Sequence, residues 1–119
     1  MACEIIRIED DLIFARVTGV MRLADQKTLQ NMAGQVIARG GKVKLLAIFE
    51  GFHGWEKGVD WSDIDFLIEH GSEIAKMAIV GDKNWRVEIF AFVGKGVRTT
   101  EIEFFPSDRF KEAESWVRA

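Results

Sequence analysis

His53 stands between Glu50, Glu56 and Asp60 in a glycine-rich stretch, the residue types from which a metal site or a general acid–base pair is built. Their spacing matches no ligand motif. His70, the other histidine, falls at an expected helix end, where the helix dipole favours imidazolium. Both histidines are therefore read as a surface-loop residue and a helix-end residue, and no metal site is expected. Cys3 has no Cys or His neighbour at zinc spacing and reads as a small strand residue. A lone thiol fits a reducing compartment, the cytoplasm. Ser62, Ser72, Ser107 and Ser115 sit at or inside helices or turns, outside any G-x-S-x-G elbow. No catalytic residue and no cofactor is expected, and the chain is read as non-enzymatic.

Two turns resemble phosphate loops and fail the test of spacing. Ile79-Val-Gly-Asp82 lacks the further glycines of a dinucleotide turn, and Trp85 would crowd a pyrophosphate. Val93-Gly-Lys-Gly-Val97 lacks the upstream glycine and the following Ser or Thr of a P-loop. The aromatic group Phe52, Trp55, Trp61 and Trp85 is the stronger constellation. Loops after parallel strands gather at the carboxyl edge of an open α/β sheet, where ligands bind, so rings following successive strands can meet there. The plainer reading is that large rings seal the end of the core. Val87, Phe90 and Val97 add an exposed apolar strip of the kind that marks a subunit contact.

The elements that must hold these residues follow from hydrophobic periodicity. Glu4–Ile8 and Leu12–Val17, separated by Glu9-Asp10-Asp11, predict an antiparallel hairpin that ends at Thr18-Gly19. Leu29, Met32, Ala33, Val36 and Ile37 line one face of a helix over Leu23–Arg39, stopped by Gly40-Gly41. Lys42–Phe49 and Met77–Val80 carry unbroken apolar runs, as strands covered on both faces do. Between them, the glycine-rich segment Glu50–Trp61 reads as a loop, followed by a helix over Trp61–His70 capped by Asp60 or Ser62. Asp82 caps a helix near Asn84–Val93 with Trp85, Ile89, Phe92 and Val93 inward and Val87 and Phe90 pointing elsewhere, although Val87–Val93 is also rich in strand-favouring residues. Thr100–Phe105 is the fifth strand. A last helix opens at Ser107 as N-cap and turns Phe110, Ala113, Trp116 and Val117 inward.

The order ββαβαβαβα predicts an α/β fold: a five-stranded, mostly parallel sheet with one antiparallel edge strand and four helices. A chain of 119 residues makes one domain, residues 1–119, large enough to enclose a core without disulfide or metal. Its 48% hydrophobic and 29% charged content is that of a globular chain. A net charge of −3 with scattered basic residues argues against nucleic acid. No basic leader with a long apolar run opens the chain, and no stretch approaches the roughly 20 apolar residues of a membrane span.

Leu45-Leu-Ala-Ile-Phe-Glu-Gly-Phe-His-Gly-Trp55, Asp63-Ile-Asp-Phe66, Lys76-Met-Ala-Ile-Val-Gly-Asp-Lys-Asn-Trp85, Glu103-Phe-Phe-Pro106 and Glu112-Ala-Glu-Ser-Trp-Val117 together resemble the bacterial SpoIIAA-like family of STAS/SEC14-like single-domain proteins. The resemblance implies a SpoIIAA-like β-α superhelix. The anti-sigma-factor antagonists of the STAS group carry a phosphorylatable serine in Asp-Ser-x-Gly, and this chain has Glu50-Gly-Phe-His-Gly54 in its place. The SEC14 side of the resemblance implies a small apolar ligand. The expected function is a non-enzymatic cytoplasmic binding or regulatory module acting by self-association or on a protein partner. The alternative is a carrier or sensor of a small hydrophobic ligand. In either case the working residues are Phe52, His53, Trp55, Trp61, Trp85 and Phe90.

Overall fold

Unbroken apolar runs demand cover on both faces, and the architecture supplies it. The structure, a computed structural model, describes residues 3–59, 73–93 and 99–119. Five strands, β1 (Cys3–Glu9), β2 (Leu12–Met21), β3 (Val43–Trp55), β4 (Ile74–Gly81) and β5 (Glu101–Pro106), form one sheet in the order β1-β2-β3-β4-β5. β1 runs antiparallel to β2 at one edge, and the remaining pairs are parallel. The α/β class, the mixed sheet and its antiparallel edge are as expected.

Three α-helices stand among the described residues: α1 (Leu23–Gly40), α2 (Arg86–Val93) and α3 (Phe110–Arg118). The fourth expected helix, over 61–70, lies outside them, as do Trp61, His70 and Val97. α1 and α2 cover one sheet face, where Ala33, Val36, Ile37 and Ile89 pack on Ile13, Ala15, Val17, Ala47, Met77 and Ile79. α3 covers the other, setting Ala113 and Val117 against Phe14, Leu46, Ala78 and Val80. Ile13, Leu46 and Ile79 are wholly buried, and each such side chain contributes roughly 2 kcal/mol from apolar area removed from water. Two lysines of the sheet hold the end of α3. Lys44 Nζ donates to the Arg118 carbonyl at 3.3 Å and Lys76 Nζ to that of Trp116 at 3.1 Å, partnering carbonyls that a helix end leaves free.

Several boundaries differ from expectation for identifiable reasons. β2 does not stop at Thr18-Gly19 but continues to Met21, because Gly19 at φ +64° absorbs a register irregularity that an L residue would resist. β3 likewise passes Phe49 and runs through the supposed glycine loop to Trp55. Ser107 does not cap the last helix. It opens a 3-10 turn over Ser107–Arg109 after Pro106, and α3 begins at Phe110 with no side-chain cap. Val87–Val93 is helical despite its strand-favouring residues. Asp82 supports the start of that segment by accepting the Asn84 amide at 2.9 Å and opening a 3-10 turn, Lys83–Trp85, that leads into α2. Among the described residues, no helix is long and apolar enough to cross a membrane.

Candidate functional site

Two glycine bulges build the carboxyl rim of the sheet. Strict alternation along β3 would put Phe49, Gly51, His53 and Trp55 on one face and Phe52 on the other. The β2–β3 register pairs Glu50 with Thr18, Phe52 with Gly19 and Trp55 with Met21, so β3 carries an extra residue in each interval. Gly51 at φ +56° and Gly54 at φ +96° lie in these intervals. Phe49, Phe52 and Trp55 consequently pack with the same core cluster, while His53 is exposed.

The rings close on one another. Phe52 meets Phe49 at 4.8 Å, Trp55 at 5.1 Å and Trp85 at 4.9 Å between centroids, all edge-to-face. Trp55 lies 6.0 Å from Trp85 and 5.1 Å from Phe92 of α2. Each edge-to-face pair adds about 0.5–1.5 kcal/mol beyond the area it buries. β3, the turn after β4 and α2 thus contribute to one five-ring group. Phe52 is buried, and Trp55 and Trp85 are half-buried.

The structure brings Phe52, Trp55 and Trp85 together and leaves two other expected residues outside the group. His53 faces solvent. Phe90 is not the exposed ring expected of it: it is half-buried, 6.1 Å from Phe104 of the edge strand, with the Arg86 guanidinium 5.7 Å from its ring centroid. The helical turn from Val87 to Phe90 carries Phe90 toward the sheet, whereas Val87 is 75% exposed. Among the described residues, no three His, Cys, Asp or Glu side chains gather as a metal-binding group.

A polar junction that sequence reasoning missed adjoins the rings. The Glu56 amide donates to the Met21 carbonyl at 2.8 Å, and Glu56 Oε1 accepts the Leu23 amide at 3.1 Å. This ties the end of β3 to the start of α1. Asp25, in the first turn of α1, accepts the Arg22 amide at 3.0 Å and Arg22 Nε at 3.3 Å, both on Oδ2. Asp25 is fully buried. Its signal in the sequence was an acidic residue three places after the residue that precedes the helix, the position from which a carboxylate reaches back to the cap. Its charge and, before it, burial push the Cys3 thiol up to about 11. Among the described residues, two buried side-chain polar atoms have no hydrogen-bond partner: Asp25 Oδ1 and Trp55 Nε1.

The rim thus presents the half-buried rings of Trp55 and Trp85, and the indole N–H of Trp55 and the Oδ1 of Asp25 lie beneath the surface. Comparison with known proteins agrees with the architecture. The model of the family described as SpoIIAA-like matches residues 12–118. The crystal structure of an uncharacterised DUF3478-family protein with a SpoIIAA-like fold, from Shewanella loihica PV-4, superposes with a TM-score of 0.70 at 21% identity, covering 98% of this chain and 92% of that one. No curated protein matches.

Proposed function

The chain belongs to the SpoIIAA-like family, and from that premise we propose that it is a non-enzymatic cytoplasmic binding or regulatory module working through protein–protein contact at the carboxyl rim. The observation that carries this reading is the apolar character of that rim. Val20, near the end of β2, is 44% exposed, Val87, in the first turn of α2, is 75% exposed, and the rings of Trp55 and Trp85 are half-buried. Apolar side chains grouped at a sheet edge gain free energy when a partner removes them from water. The reading uses no phosphorylated serine, since Glu50-Gly-Phe-His-Gly54 contains none.

A second reading, a carrier or sensor of a small apolar ligand, is favoured by one specific observation: Trp55 Nε1 is buried among rings without a partner. Native mass spectrometry of freshly purified protein separates the two. A homodimer that Val87→Asp disperses is the result expected for the contact module. A monomer carrying an apolar small molecule overturns it in favour of the carrier.

A further inference from the structure

A cavity opens at the amino edge of the sheet, at the other end of β3 from the aromatic rim. Its volume is about 470 Å³, and the residues that line it include Asp10 and Asp11 of the turn between β1 and β2, Val36, Arg39 and Gly40 of α1, and Lys42, which precedes β3. A space of that size can hold a small molecule. The backbone fixes both of its walls. The Lys44 amide donates to the Asp11 carbonyl at 2.8 Å, tying the hairpin turn to the start of β3, and the Gly41 amide donates to the Ile37 carbonyl at 2.9 Å, closing α1. Asp10 turns the chain at φ +54°, a left-handed conformation that aspartate tolerates better than most side chains do.

Two carboxylates and two cations thus line one hollow, all four on exposed residues. Among the described residues, no ion pair engages any of them. Arg39 Nε donates to the Gln35 carbonyl at 3.4 Å, a bond within its own helix. Opposite charges from the hairpin and from the α1–β3 connection therefore stand around the same space without closing on one another. We propose that this cavity binds a small zwitterion, with its ammonium toward Asp10 and Asp11 and its carboxylate toward Arg39 and Lys42. A single exposed ion pair is weak, because water and salt screen it. A plain amine drawn to the aspartates also meets two cations, and a plain carboxylate drawn to the cations also meets two aspartates. A molecule that carries both charges gains at each end, so the mixed lining selects it over either half. Val36 adds an apolar patch for the carbon chain between the charges. The site is independent of the rim and of either reading of it.

The test is a nuclear magnetic resonance titration of the full chain at low salt, following the backbone amides of Gly40, Gly41 and Lys42. The probes are free glycine, γ-aminobutyrate and aminohexanoate, zwitterions of increasing charge separation, each beside an amine and a carboxylate of matching chain length. At least one zwitterion is expected to bind roughly ten-fold more tightly than both of its single-charge counterparts, a difference of ~1.4 kcal/mol. Asp10→Asn with Asp11→Asn keeps the shape of the turn and removes its charge, and should bring that zwitterion down to the affinity of the plain carboxylate. Arg39→Gln with Lys42→Gln should bring it down to that of the plain amine. The assignment is overturned if no zwitterion exceeds its counterparts, or if the margin survives unchanged in both folded variants.

Discussion

Gly54 lies against Trp85 so that a Cβ at position 54 would stand 3.5 Å from the indole Cη2. That distance is ordinary contact, so space does not demand glycine there. The backbone does, at φ +96°. Gly54→Ala is expected to lose about 1–3 kcal/mol, the usual strain of a side chain in that conformation. Urea denaturation measures the loss, and an unchanged midpoint would show that β3 reaches Trp55 without this bulge.

Trp85 joins the turn after β4 to the bulged end of β3 through its contacts with Phe52 and Trp55. Trp85→Ala is expected to cost about 3 kcal/mol, the low end for an aromatic truncation because the ring is half-buried. Far-ultraviolet circular dichroism should also lose the signal of two indoles coupled at 6.0 Å. A variant as stable as the parent would mean that the ring covers the rim without holding it.

Cys3 should be inert at neutral pH. Cys3 is 4% exposed, and burial followed by the charge of Asp25 raises the thiol pKa from 9.0 to about 11. A folded value above the unfolded one leaves its stabilising contribution whole below about pH 9 and withdraws it as pH rises through about 11. Iodoacetamide is therefore expected to label the protein only in denaturant, and Cys3→Ala to lessen the loss of stability on that alkaline limb. Rapid labelling of the folded protein at pH 7 would contradict the burial.

Lys76 couples β4 to α3 through its bond to the Trp116 carbonyl, and its ammonium lies 4.9 Å from the Trp116 ring centroid. Lys76→Met keeps the apolar stem and removes both interactions. A loss of about 1 kcal/mol is expected, with faster amide exchange in the last turn of α3. Exchange that stays at the parent rate would assign the end of α3 to Val117 packing and the Lys44 bond to the Arg118 carbonyl.

Much of the fold was legible because its signals are local. Leu45–Phe49 and Met77–Val80 announce covered strands by lacking alternation, Ala33, Val36 and Ile37 announce a helix by their period, and Asp82 marks where the chain turns after β4. The meeting of Phe52, Trp55 and Trp85 followed from a topological rule about strand ends. The continuation of β3 beyond Phe49 was illegible, since glycines at 51 and 54 signal a loop when read alone and bulges only beside a paired strand. Phe90 was misplaced because Val87–Val93 is apolar at every position but Glu88, and its period does not choose a face.

The residues of this chain dictate the order of strands and helices, the parallel centre of the sheet and the gathering of large rings after its inner strands, since each follows from backbone preference and burial within short segments. The neighbouring strand decided the rest. Pairing with β2 converts Gly51 and Gly54 into two extra residues, and each reverses which side of β3 faces the core. Phe49, Phe52 and Trp55 thereby share a face that strict alternation would have divided, and His53 is turned to water. Packing alone, likewise, seals Asp25 in the first turn of α1. Parity along a strand and burial of a carboxylate depend on partners distant in the chain.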